Sequence, residues 1–180
     1  MQVPDHLVAE IIDGELVTSP RPASPHAWTS SVLGQDLGPL NGRAGGAGRP
    51  GGWWILDEPE LHFAGDVLVA DLGAWRHERM PAIPSVAYFT LAPDWVCEVI
   101  SPSTGRVDRS RKMGIYAREG VRHLWFVDPL SRTLEVYRLE AGRWVVAATH
   151  GGDDLVRAEP FEAIEIGLAR WWLESADPAA

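Results

Sequence analysis

Lysine is almost missing from this chain: of 16 basic residues only Lys112 is a lysine. Cysteine is as scarce, with Cys97 alone. A single cysteine excludes an intrachain disulfide and a thiolate zinc cluster, and its place in an apolar run marks a core thiol. No apolar run approaches the roughly 20 residues that a membrane helix needs. The opening MQVPDHLVAE has neither the basic nor the apolar segment of a secretory signal. The expectation is therefore a cytoplasmic protein with no membrane partner. Positive charge is short as well. A net charge of −9 disfavours a broad nucleic-acid surface, because phosphate binding draws on Lys and Arg. A local site stays open, since six of the 16 basic residues fall between Arg106 and Arg122.

What is present is a globular composition, 46% hydrophobic and 23% charged. It is enough for one domain with a substantial core. That domain is read as residues 1–180, with its core at 11–174 and a frayed tail at 175–180. The chain is organised around Pro93–Gly120 (PDWVCEVISPSTGRVDRSRKMGIYAREG). In Trp95–Ile100 side chains alternate, so Val96, Glu98 and Ile100 share one face and Trp95, Cys97 and Val99 the other. Both faces are apolar, the pattern of a strand covered on both sides. Glu98 thus falls in a low-dielectric setting where an unpaired charge costs several kcal/mol. A metal ion, a lysine or a proton must answer for it.

In chain order, Val8–Ile12 and Glu15–Thr18 read as strands about an Asp13-Gly14 hairpin turn. Ser24 is placed to N-cap a helix running to Leu37, with Pro25 in its first turn. The Gly-rich stretch Gly38–Gly52 lacks the G-x-x-x-x-G-K-[ST] pattern and is read as a surface loop. Trp53–Leu56 and Glu60–Phe63 follow as strands. Asp66–Ala74 reads as one further strand carrying a second carboxylate, Asp71, inside an apolar run. A helix is expected over Asp108–Glu119, with Asp108 as N-cap and Gly120 as its stop. Its three- and four-residue spacing puts Asp108, Lys112, Tyr116 and Glu119 on one side. Helical side chains lean toward the N-terminus, so Lys112 reaches back toward Glu98. His123–Asp128, Thr133–Leu139, Trp144–Ala148 and Phe161–Ile166 complete the strands, and Ala169–Glu174 a short last helix.

Asp71 and Glu98 on adjacent strands beneath Lys112 make a site of two anions and one cation. Two carboxylates plus waters suit a hard octahedral ion such as Mg²⁺ or Mn²⁺. Such an ion polarises a phosphoryl oxygen and activates water, and a nearby lysine offsets developing charge. The plainer alternative is a buried structural ion pair between Glu98 and Lys112 or an arginine. Asp94 reads as a strand-start residue and not a co-ligand. The nine tryptophans read as core or contact residues.

Five segments together carry a resemblance: VADLGAWR (Val69–Arg76), PDWVCEVISPST (Pro93–Thr104), DRSRKMGIYA (Asp108–Ala117), GVRHLWFVDP (Gly120–Pro129) and RTLEVY from Arg132. Over about Ile11–Leu139 the chain resembles the bacterial "putative restriction endonuclease" family, a branch of the PD-(D/E)XK nuclease superfamily. The resemblance implies an α/β (α+β) restriction-endonuclease-like fold, with a central mixed sheet flanked by helices and an N-terminal hairpin. It places acidic metal ligands at Asp71 and Glu98. The superfamily lysine, normally two residues after the glutamate, is replaced there by Ile100 and moves to Lys112. Glu15 and His26 also match family positions, as supports for metal or phosphate. Ala70 stands where the PD pair has proline. The implied activity is Mg²⁺- or Mn²⁺-dependent endonucleolytic cleavage of DNA, by a homodimer if both strands are cut. The alternatives are a binding or assembly module that keeps the fold without cleavage, and hydrolysis of another phosphate ester.

Overall fold

The computed structural model describes residue 4, residues 6–45 and residues 48–174; the proposed tail at 175–180 lies outside them. The hairpin forms as expected. Strands β1 (Leu7–Ile12) and β2 (Glu15–Pro20) pair antiparallel, with Asp13 and Gly14 both at positive φ in the turn. Helix α1 (Ser24–Asp36) begins one residue before the expected position. Ala23 is its N-cap, with no side-chain hydrogen bond, and Ser24 is already helical. The helix buries His26, Thr29, Val32 and Leu33, a three- and four-residue stripe that faces inward.

Strands β3 (Trp53–Asp57) and β4 (Glu60–Phe63) match the sequence reading. The expected single strand Asp66–Ala74 is two. β5 (Asp66–Val69) pairs with β4 and β1, whereas β6 (Leu72–Arg76) pairs with β3 and with β7 (Trp95–Val99). Between them, at Ala70 and Asp71, the chain crosses from one sheet to another. Periodicity could not reveal this, because both pieces alternate in the same phase and only their partners differ.

The larger sheet has the order β10-β9-β8-β7-β6-β3, with β8 (His123–Asp128), β9 (Thr133–Glu140) and β10 (Arg143–Gly151). It is mixed: β7 and β8 are parallel and the other neighbours antiparallel. A right-handed crossover is the rule for such a parallel pair. Here the connection is helical: an α-turn α2 (Gly105–Val107), a π-helical turn (Asp108–Lys112) and helix α3 (Met113–Arg118). The smaller sheet has the order β2-β1-β5-β4.

Two apolar layers sandwich the larger sheet, as the alternation in Trp95–Ile100 requires. Trp95, Cys97 and Val99 face α1 and the C-terminal segment. Val96 faces Ile115 and Tyr116 of α3, together with Ile12, Leu61 and Leu68 of the smaller sheet. Every residue of β7 is buried.

The C-terminal expectations fail in part. Only Ile166–Gly167 (β12) forms a ladder, with Leu155–Val156 (β11). A 3₁₀ turn at Leu168–Trp171 replaces the expected last helix. Phe161 does not lie in a strand; it is a fully buried plug. Its ring meets Trp53, Trp95 and Trp125 edge-on at centroid distances of 5.0, 4.9 and 5.5 Å. Burial of one large ring outweighs the ladder its segment could make. Phe161→Ala should therefore destabilise the protein by about 3–5 kcal/mol, read as a lowered urea midpoint by tryptophan fluorescence. A shift of less than about 1 kcal/mol would mean that the plug does not hold the C-terminal segment to the sheet.

Candidate active site

Glu98 owes its place to β7, which the larger sheet covers on both edges. It is 3% exposed. The β6–β7 pairing stops at Leu72 opposite Cys97, so Val99 has no backbone partner from β6. Asp71 supplies one instead: its Oδ2 accepts a hydrogen bond from the Val99 N–H at 2.7 Å. The sheet-switching corner thus fixes Asp71 beside Glu98. On the other carboxylate oxygen, His26 Nε2 lies 3.2 Å from Asp71 Oδ1. Burial pulls the His26 pKa down, but the hydrogen bond and charge of Asp71 overrule it and the net shift is upward. Its Nδ1 is buried without a hydrogen-bond partner.

Lys112 enters from the π-helical turn, a distortion common at functional sites. Its Nζ lies 2.8 Å from Glu98 Oε1, 3.1 Å from Glu10 Oε1 and 3.6 Å from Asp108 Oδ1. It also donates to the Val69 carbonyl at 3.0 Å. An ammonium has three donors, so Glu98, Glu10 and the Val69 carbonyl leave it no spare, and Asp108 adds only its charge. Glu10 in turn accepts from the Val69 N–H at 2.9 Å, so the end of β5 is satisfied by site side chains on both its N–H and its C=O. The Tyr116 hydroxyl donates a short hydrogen bond to Glu98 Oε1.

Charge in this cluster does not balance. Four carboxylates (Glu10, Asp71, Glu98 and Asp108) surround one lysine and one histidine. Burial drives the Glu98 pKa well above the carboxylate range; Lys112 opposes this, while Asp108, Asp71 and Glu10 add to it. Asp108 is raised for the same reason, against the pull of Lys112 and a Thr104 hydrogen bond. For Lys112 burial pulls downward, yet Glu98, Tyr116, Glu10 and Asp108 together hold it well above its usual value. The lysine is charged, and the carboxylates compete for it.

Of the residues singled out from sequence, Asp71, Glu98, Lys112 and His26 line one pocket of about 280 Å³. Glu15 is not among its lining residues. As the first residue after the hairpin turn it is exposed, 3.1 Å from Arg111, which also holds Asp13 at 2.9 Å. Asp94 is elsewhere too: it is buried against Arg79 at 3.0 Å and accepts from the Arg76 N–H. Asp108 is no N-cap. The helical run starts earlier, and its side chain is buried beside Lys112. Glu10 escaped notice, although a carboxylate amid Val8-Ala9-Glu10-Ile11-Ile12 was a legible signal. Tyr116 shares the Lys112 side as its spacing predicts; Glu119, read onto the same side, pairs with Arg118 instead.

The donor set can be tested against a hard cation. Among the described residues no three His, Cys, Asp or Glu side chains are disposed as a metal cage, and Lys112 and Tyr116 both engage Glu98 Oε1. Two carboxylates facing a pocket still fit an ion that keeps most of its waters, as Mg²⁺ does. The surplus negative charge favours such an ion.

With the geometry in place, comparison with known proteins gives the family. A model of the Uma2 family, described as "Putative restriction endonuclease", matches residues 2–169. The chain belongs to this family. Among solved structures it is similar to a crystal structure from Anabaena variabilis titled as that of a "putative nuclease". The TM-score is 0.71 at 22% identity, over 92% of this chain and 91% of that one. At that identity the likeness shows the fold alone, a restriction-endonuclease-like one. A search of curated proteins gave no match. No helix among the described residues is long and apolar enough to cross a membrane.

Lys112→Met should destabilise the protein by about 3–5 kcal/mol, because it strands buried carboxylates without their cation. Adding Glu98→Gln to that variant should recover part of the loss, so the two changes are not additive. Urea denaturation of both single variants and the double variant measures this. A Lys112→Met variant within about 1 kcal/mol of wild type would show that the cluster does not depend on its lysine.

Proposed function

We propose that this member of the family is a Mg²⁺- or Mn²⁺-dependent endonuclease that hydrolyses phosphodiester bonds in DNA. The observation that carries the reading is the convergence of Asp71 and Glu98 on one pocket beside a buried lysine, with more negative charge than protein cations offset. A bound divalent ion would polarise the phosphoryl oxygen and lower the pKa of a water.

The residues of the chain do the rest. Asp71 is oriented by the Val99 N–H and His26, so its carboxylate offers an oxygen without having to reorganise. Glu98 is held through Oε1 by Tyr116 and Lys112, so its second oxygen would be the one to help hold such an ion. Lys112 opposes the burial that drives the Glu98 pKa upward, and a bound divalent ion would add to that opposition. By releasing its longest hydrogen bond, to Glu10 at 3.1 Å, the lysine would free one N–H for the attacking water or a phosphate oxygen. The setting is cytoplasmic, and a symmetric dimer would bring two such sites to a duplex.

The saturated Lys112 and the acidic net charge favour one other reading, a binding module that keeps the fold without cleavage. Calorimetric titration with Mn²⁺, beside a plasmid-nicking assay, separates the two. On the nuclease reading, wild type binds the ion and nicks DNA. Asp71→Asn and Glu98→Ala lose both, with cleavage down at least about 100-fold. Folded wild type that neither binds Mn²⁺ nor nicks DNA would leave only the binding module.

A further inference from the structure

The pocket described above is hostile to its proposed substrate. Glu10, Glu58, Asp71, Glu98 and Asp108 all line it, and a polyanion entering such a field is repelled unless a cation meets it at the mouth. Three basic side chains line the pocket: His26, Lys112 and Arg21. The first is paired with Asp71 and the second is saturated by carboxylates. Arg21 alone of the three has no carboxylate among the described residues within ion-pair distance. Glu58 lines the same mouth but forms no ion pair with it.

Its position is set by the local sequence. Arg21 lies between Pro20, the last residue of β2, and Pro22. The preceding proline has a fixed φ, and a following proline biases Arg21 to extended backbone. The side chain is exposed, and it lines a second cleft, of about 280 Å³, with Leu7, Ala9 and Glu60. Arg21 thus stands where the acidic pocket adjoins a neighbouring groove. On the same pocket wall the Ser101 hydroxyl bonds those of Ser103 and Thr104, each at 2.9 Å. They offer neutral polarity but no charge.

We infer that Arg21 is the phosphate anchor of the site, binding a backbone phosphate of the nucleic-acid strand at the pocket mouth and holding the strand against the field within. A guanidinium suits this role, since its planar fork meets phosphate oxygens in a bidentate way. The inference rests on the phosphodiester reading, yet it can fail separately from it.

The test is fluorescence anisotropy of a short labelled DNA duplex with Ca²⁺, a hard cation for the oxygen ligands, over about 50–200 mM KCl. Wild type, Arg21→Ala, Arg21→Lys and a control, Arg132→Ala in the β8–β9 turn, are compared. Loss of one phosphate contact makes the log–log salt dependence shallower by about 0.9. Over that fourfold salt range wild type should therefore lose roughly 3.5-fold more affinity than Arg21→Ala. Arg21→Lys and Arg132→Ala should keep the wild-type slope. An Arg21→Ala variant that binds with the wild-type slope would overturn the anchor and leave the nuclease reading standing. Absence of DNA binding by folded wild type would remove both.

Discussion

One ammonium group ties the site together. Lys112 Nζ takes oxygens from β1 (Glu10), β5 (the Val69 carbonyl), β7 (Glu98) and its own helical turn (Asp108). These elements belong to two sheets and to the crossover between β7 and β8. A buried ion of this kind is costly to assemble, and its desolvation is offset only when every donor is used. The geometry meets that condition. The lysine therefore acts as a joint between the smaller sheet and the larger one, at the place where Ala70 and Asp71 carry the chain from one to the other.

The same saturation shapes the chemistry. A lysine with all three protons engaged is a fixed charge, and its effect on Glu98 is to oppose the burial that drives that pKa upward. Four carboxylates against one such charge leave the pocket anionic. That surplus makes a hard divalent ion chemically reasonable here although, among the described residues, no three acidic or histidine side chains form a cage. It also explains why a polyanionic substrate would need a cation at the mouth. Asp71 has a parallel double use: it ends the β6–β7 ladder by accepting the Val99 N–H and presents its carboxylate to the pocket. Backbone accounting and site building are done by the same atoms.

Much of this was legible residue by residue. The alternation in Trp95–Ile100 showed a strand covered on both faces and hence a buried Glu98. Helical spacing set Lys112 and Tyr116 on one side, and the backward lean of helical side chains pointed the lysine at that glutamate. Asp71 was recognisable as a carboxylate in an apolar run. Where the reading failed, the cause was competition that a local pattern cannot display. Phe161 gave up a strand for an aromatic pocket. Asp108 resembled an N-cap because the π-helical turn and the α-turn before it are invisible to a 3.6-residue period. Glu15 matched a family position, yet its place just after the turn leaves it in solvent with Arg111.

The sequence by itself determined which side chains are removed from water, because burial follows from one-dimensional periodicity along a strand or helix. Only the tertiary structure decided which of the buried charges share a cavity. Glu10 reaches Lys112 because β1 pairs with β5, and Asp71 reaches Glu98 because the chain changes sheets one residue before β6. Both depend on pairings between strands distant in the chain. A Coulomb interaction is set by separation in space and by the dielectric around it, and neither quantity is encoded in spacing along the chain.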